Sequence, residues 1–294
     1  MKFRNSYHPF ALITIIFWAL SYVLTRLSLQ HFSAFSLGVL RYIVASATLL
    51  VVALINKMPL PKKKDLPWFI LAGTLGFFIY VIAFNIGTSY VSASTSSILI
   101  AASPIITALI ANRLYKEKLA VFQWVAILIE FAGVLILTLI NGIFSVNSGI
   151  SWLILAAISF SFYNLLQRRL TRTYSALQVS SFSMFFGTLM LLIFFPASIG
   201  EIKAAPPIQF SYIIILGVFS SALAFLSWAK AFEKADKASS VSNYMFLTPF
   251  LTTLLGFALI KETPDKATII GGSIILCGIL LFNFGPKLFK RFIR

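Results

Sequence analysis

The sequence predicts an all-α integral membrane protein with ten transmembrane helices in two inverted five-helix repeats and both termini in the cytoplasm. Three observations carry this reading. Apolar runs of about 20 residues, the length that crosses ~30 Å of hydrocarbon, recur along the whole chain. Basic residues collect in every second gap between them, and a block near residues 93–117 returns near 238–262. Composition agrees: 59% of residues are hydrophobic, 11% are charged and the mean hydropathy is +0.94, whereas charged residues make up about a quarter of a soluble domain.

The first run, 10–29, follows Lys2 and Arg4 and offers no small-residue cleavage site between Trp18 and Arg26, so it reads as an uncleaved first helix. The second, 34–55, carries Arg41 and ends before Lys57, Lys62, Lys63 and Lys64. The third, 66–89, carries Tyr80 and Asn85. The fourth, 93–112, opens on the small polar residues 92–97, contains Pro104 and leads to Arg113, Lys116 and Lys118. The fifth, 121–140, holds Glu130 and Gly133. The sixth, 149–167, brings Tyr163 and Asn164 and stops at Arg168, Arg169 and Arg172. The seventh, 177–198, precedes Lys203 and the Pro206-Pro207 loop; the eighth, 209–229, ends at Lys230, Lys234 and Lys237. The ninth, 238–260, opens on small polar residues through Tyr244 and contains Pro249. The tenth, 267–285, is followed by Lys287, Lys290, Arg291 and Arg294.

With the amino terminus inside, 19 of the 24 Lys and Arg are cytoplasmic, and only Lys203, Lys261 and Lys266 fall in external gaps. That is the positive-inside bias. A net charge of +16 dispersed by topology gives no basic face for nucleic acid, so no nucleic-acid partner is expected. Almost nothing remains for a soluble domain, and function must be carried within the bilayer or at its surfaces.

The block 93–117 superimposes on 238–262 without a gap, pairing Ser97 with Ser242, Pro104 with Pro249 and Thr107 with Thr252, and the same offset pairs Gly133 with Gly278. Earlier in each half the offset is 142, pairing Arg26 with Arg168. This divides the chain into repeats at 1–145 and 146–294. Five helices per repeat is an odd number, so the second copy enters from the opposite side. Such inverted repeats are the structural basis of alternating access in many secondary transporters.

Soluble-enzyme chemistry is missing, and no enzymatic activity, metal or cofactor is expected. His8 and His31 lie at opposite faces, Cys277 is the only cysteine, and there is no GxxxxGK[ST] loop for ATP-driven pumping. Transport would be downhill or coupled to a gradient, protons being the candidate ion.

Glu130 sits in the middle of an apolar helix, where a carboxylate costs a few kcal/mol on insertion scales. It either carries a proton or hydrogen-bonds a neighbouring helix, with Arg41 as a candidate partner. Arg41 reads equally as an anchor to backbone carbonyls or as a binder of carboxylate or a gate; Arg26, near a helix end, reads as a snorkelling residue. The small polar stretches with Ser97 and with Asn243 and Tyr244 lead to Pro104 and Pro249, which would loosen the backbone at membrane depth and serve as gates. Trp18, Tyr22, Tyr80, Asn85, Ser97, Tyr163, Asn243 and Tyr244 would then line an apolar, aromatic cavity with a few hydrogen-bonding groups, suited to a small amphipathic substrate. Trp228 and Tyr90, close to span ends, read as interfacial aromatics.

The chain resembles the EamA-type transporters of the drug/metabolite transporter superfamily over its whole length. The likeness rests on Phe17-Trp18-Ala19-Leu20-Ser21-Tyr22, on Leu40-Arg41-Tyr42, on the doubled pattern of small residues, mid-helix proline and terminal Lys-Glu, and on Gly133-Val134 and Gly278-Ile279. The resemblance implies an inner-membrane exporter or exchanger of metabolites, often amino acids or related amphipathic compounds. It implies a central cavity lined by helices one, three, four, six, eight and nine, with five and ten peripheral. Glu130 departs from the family pattern, which is apolar there. The rival expectations are a non-transporting scaffold or sensor with the same fold, and a channel.

Overall fold

A computed structural model describes residues 6–115, 120–140, 148–235, 241 and 243–292, and among these the chain is helical with no strand. The segments are α1 (His8–Ser28), α2 (Ala34–Ile55), α3 (Lys63–Tyr90), α4 (Ala93–Ala101 continuing as Ser103–Tyr115), α5 (Val121–Ile140), α6 (Ser148–Leu170), α7 (Ala176–Ala204), α8 (Pro207–Lys234), α9 (a 3₁₀ turn, Asn243–Leu247, then Thr248–Ile260) and α10 (Lys266–Phe292). Seven stretches of described residues are long and apolar enough to cross a membrane: α1, α2, α3, Ala93–Ile110 of α4, α6, α7 and α8. Val121–Gly133, Tyr244–Ile260 and Thr268–Phe282 are apolar but shorter.

Helix starts are set by side chains that satisfy backbone N–H groups left open in the first turn. The Ser33 hydroxyl accepts from the Ser36 N–H at 3.2 Å, Ser92 from Thr95 at 3.0 Å, and Ser175 with Gln178 forms a reciprocal capping box. Each of these three starts also meets a carboxylate from elsewhere in the chain. The Ser33 N–H donates to Glu201 at 2.8 Å, Ala93 to Glu262 at 3.3 Å, and Ala176 to Glu233 at 3.1 Å. Negative charge there complements the positive end of the helix dipole, so these glutamates fasten one helix start to another segment.

Two helices contain a wider, π-helical stretch, Thr74–Ile79 in α3 and Leu216–Leu223 in α8. Side chains satisfy backbone at these depths: Ser159 donates to the Leu75 carbonyl at 2.7 Å, and Ser220 itself donates to the Phe17 carbonyl at 2.9 Å. One other helix, α4, is interrupted, and α9 opens on a 3₁₀ turn. In α4 the break falls at Ala102, where the Ser103 hydroxyl donates to the Ile100 carbonyl, and Pro104 stands in the first turn of the resumed helix. In α9 the 3₁₀ turn ends at Leu247 and the α-helix begins at Thr248 with Pro249 in its first turn. Proline lacks the N–H that a first turn leaves free anyway, so each proline stands in the first turn of an α-helical segment rather than at a bend within a continuous helix.

Helix α1 runs through the middle, against α3, α4, α8 and α9, while α5 packs chiefly on α10. The α5/α10 contact is built on glycine. A Cβ on Gly133 would lie 2.6 Å from Ile275 Cγ1 and 2.8 Å from the Gly271 carbonyl; one on Gly278 would lie 2.4 Å from Glu130 Cγ and 3.0 Å from the Ala126 carbonyl. Backbones that approach this closely associate by dispersion and shape fit, the route open to helices in lipid.

Candidate functional site

Seven helices converge on one interior cavity. From α1 come Trp18, Ser21 and Tyr22, one face by their three- and four-residue spacing. Helix α2 contributes Arg41, and α3 contributes Tyr80 and Phe84, which stack with ring centroids 5.7 Å apart. Ile100 enters from the last turn before the break in α4, Phe160 from α6, Phe225 from α8 just past its π stretch, and Met245 from the 3₁₀ turn of α9. The cavity is nearly closed, with about 10 Å³ of free space, on the order of a single water.

Its floor, toward the start of α1, is an aromatic cluster: Trp18 lies 5.5 Å from Phe160, 5.2 Å from Phe225 and 5.0 Å from Trp228, centroid to centroid. The Trp228 indole N–H donates to Asn164 at 3.2 Å. Trp228 is therefore fully buried beneath the cavity and is not the interfacial aromatic that its place near a span end suggests. Tyr90 is 59% exposed, in keeping with such a role. On the opposite side Tyr22 meets Phe84 edge-on at 5.2 Å.

Arg41 is the charged member of the lining. It is 4% exposed, its Nε donates to the Ser221 hydroxyl at 2.6 Å, and its guanidinium carbon lies over the Tyr42 ring, 5.6 Å from the centroid. Among the described residues no carboxylate lies within ion-pair distance of it. Arg26 has the quieter role, donating to the Thr88 and Ser89 carbonyls at 3.1 and 2.8 Å and so closing the end of α3.

Of the residues expected to line the cavity, Trp18, Tyr22 and Tyr80 do so. Asn85 is buried one position past Phe84 and its amide donates to the Ala34 carbonyl at 2.9 Å, which ties α3 to the start of α2. Ser97 donates to Ser94 within its own helix at 2.7 Å. Tyr163 is fully buried against Gly76, Phe77, Phe160 and Phe225, behind the lining. Tyr244 hydrogen-bonds His8 Nδ1, and its neighbour Met245 faces the cavity instead. The Asn243 side chain lies outside the described residues, as do Lys116 and Glu117. Ser21, Phe84, Phe160 and Phe225 are lining residues that sequence reasoning passed over; for Ser21 and Phe84 the signal was present, three and four residues beyond Trp18 and Tyr80.

Glu130 is 5% exposed in the α5/α10 contact, its Cγ against Gly278 and its Oε1 without a hydrogen-bond partner among the described residues. Arg41 is not its partner: that side chain is engaged with Ser221. A larger groove on the same pair is lined by the apolar side chains Val121, Phe122, Val125 and Leu281.

The EamA-like transporter family model matches the chain twice, at residues 5–139 and 147–284. The chain belongs to the EamA-like transporter family. It is 30% identical over 265 residues to a Bacillus subtilis (strain 168) protein named "Uncharacterized transporter YdfC", covering 89% of this chain and 86% of that protein. It is 28% identical over 272 residues to the "Probable terminal-alkyne amino-acid exporter" of Streptantibioticus cattleyicolor, covering 92% and 91%. A solved crystal structure superimposes with a TM-score of 0.66 at 18% identity, over 95% of this chain and 97% of that one, a likeness of fold. This member of the family is thus a multi-pass membrane transporter, a class of protein that is not enzymatic.

Proposed function

We propose that this transporter is a secondary carrier, an exporter or exchanger of small organic metabolites such as amino acids or related amphipathic compounds, that works by alternating access in the cell membrane. The observation that carries the reading is a nearly closed aromatic cavity placed where the break in α4 meets the 3₁₀ turn of α9. Ile100 lines it from the turn before the Pro104 restart, and Met245 from the 3₁₀ turn that leads into the α-helix holding Pro249. Non-helical backbone at membrane depth is tolerated where it is buried in protein or lines a cavity, and substrate sites of repeat-built carriers form on such discontinuous helices.

The same reading takes the chain as ten spans in two inverted repeats, 1–145 and 146–294, with both termini cytoplasmic. In its support, the family model matches once in each half. The π stretches begin at Thr74 and Leu216, the offset of 142 found in the sequence. Ser46 and Thr188, also 142 apart, hydrogen-bond each other at 2.8 Å, as two equivalent residues would beside a pseudo-two-fold axis. Gly133 packs on Ile275 as Gly278 packs on Glu130, with the offset of 145 relating the two pairs. Pro104 and Pro249 then act as equivalent gates. Glu130 stands at the peripheral pair, so its role is taken as structural, and proton coupling through it is the less favoured alternative.

Counterflow in proteoliposomes tests the reading. Protein loaded with unlabelled substrate should accumulate labelled substrate transiently, and Trp18→Phe should change apparent affinity while melting behaviour holds. Flux without counterflow would make the protein a channel, and binding without flux a sensor or scaffold.

A further inference from the structure

We infer that Arg41 is the carboxylate-recognition residue of the cavity, and that the molecules carried are monocarboxylic acids with an apolar or aromatic body. Amino acids qualify through their carboxylate and not through their ammonium. The inference rests on the transporter reading above and narrows it.

A guanidinium taken out of water requires compensation by an anion or by several acceptors. Arg41 has one hydrogen bond from Nε, to Ser221, and none from its two terminal nitrogens among the described residues. The described carboxylates are engaged elsewhere. Asp65 accepts from the Tyr174 hydroxyl at 2.5 Å, Glu201 from Ser33, Glu233 from Ala176 and Lys230, Glu262 from Ala93, and Asp265 from Thr268 at 2.7 Å. Glu130 is in the α5/α10 contact. The Nε bond holds the stem, the guanidinium carbon lies over the Tyr42 ring at 5.6 Å from its centroid, and Arg41 is part of the cavity lining with no carboxylate beside it. A planar fork matches a carboxylate through two parallel N–H···O bonds.

The rest of the lining sets the body and the charge count. Trp18, Tyr80, Phe84 and Phe160 offer aromatic faces, and Ser21 and Tyr22 offer hydroxyl groups to the same cavity. One cation and no carboxylate in the lining fit a single negative charge. A phosphate dianion or a dicarboxylate would bring a second charge that nothing there balances, and a free ammonium would find hydroxyl oxygens and ring faces but no carboxylate.

The test needs no variant to begin with. Purified protein in nanodiscs is titrated with a panel of acetate, butanoate, 3-phenylpropionate and L-phenylalanine, and with 3-phenylpropionamide and 2-phenylethylamine, reading the shift in unfolding temperature. We expect the aromatic acids to stabilise, L-phenylalanine included. The amide and the amine should bind at least about 10-fold more weakly, the scale of charge-assisted hydrogen bonds. Arg41→Gln should abolish the preference for acid over amide, and Arg41→Lys, which keeps the charge and loses the fork, should retain part of it. An amide or amine as effective as the acid, an acid preference that survives Arg41→Gln, or no response to any acid overturns the inference. Exchange in proteoliposomes is read separately. Exchange of amines or neutral compounds with acids inert sinks the inference and leaves the carrier, whereas acid binding lost in Arg41→Gln with no flux in the parent supports the site and sinks the carrier.

Discussion

Replacing Glu130 by methionine should make this protein more stable. The carboxyl is 5% exposed, its Oε1 has no partner among the described residues, and its Cγ rests on Gly278. A buried polar atom without a hydrogen bond costs about 1–3 kcal/mol, and an ionised carboxylate at a helix centre about 2.5–3.5 kcal/mol on insertion scales. Methionine keeps the unbranched Cβ and Cγ that fit over Gly278, so it removes the penalty without overpacking the contact. Ile275, at the position related by 145 residues, shows that an aliphatic side chain suits such a place, since it packs on Gly133. The expected gain is ~1–3 kcal/mol, and at roughly 2–4 °C per kcal/mol for chains of 150–250 residues the melting temperature should rise by several degrees. Differential scanning fluorimetry in detergent, with Glu130→Gln beside it, reads this. The glutamine keeps a polar group in place and should leave the melting temperature close to the parent's. A lower melting temperature for Glu130→Met would refute the argument, because it would mean that the carboxyl makes a bond on which the α5/α10 pair depends.

Three other outcomes are expected. Gly133→Ala puts a Cβ within 2.9 Å of two backbone atoms of α10 and should cost about 1–3 kcal/mol of overpacking; Gly200→Ala, with nothing within 4 Å, should be neutral or better, and equal melting of the two would remove the close-packing account. In a Cys277→Ser background, Gln30→Cys should react with an impermeant maleimide on intact cells and Lys63→Cys only after lysis, both positions being exposed; the reverse pattern overturns the orientation. The hydrogen bond from the Tyr174 hydroxyl to Asp65 raises the phenol above its ordinary value of 10.0. Raising a folded-state value favours the neutral form, so the contribution is complete below pH 10 and disappears as pH climbs through the higher folded value. The stability difference between parent and Tyr174→Phe should accordingly be constant at neutral pH and shrink above 10, and a difference that grows there would contradict the sign.

Among the described residues length and hydropathy were enough to place most helix ends within a few residues, the start expected at 238 lying outside them, because burial in lipid imposes a run of fixed length whatever the side chains do inside. Helix α7 extends to Ala204 and α10 to Phe292, beyond the apolar runs, since a helix continues where propensity allows after hydropathy has ended. Arg41 stands out in the sequence for an energetic reason that does not depend on how its helix is turned: an ionisable group at membrane depth must have a use or a partner. Trp228 misled for the complementary reason, as position along a span says nothing about which side of the helix faces inward.

Rotation is the missing variable, and the irregular turns are what made it unreadable. Within a regular helix, residues four apart share a face, so Tyr80 and Phe84 belong together and Asn85 does not; the sequence shows all three as polar or aromatic residues of one span. The π stretch Thr74–Ile79 directly before them adds residues to a turn and shifts the phase of everything that follows. The α8 stretch does the same before Phe225, and the restart at Ser103 and the change from 3₁₀ to α at Thr248 reset the phase of α4 and α9. Four of the helices that build the cavity therefore change register at or just beside it. Those irregularities are also where a helix bends with the fewest broken hydrogen bonds, so the features that hide the site from the sequence are the ones that give it somewhere to move.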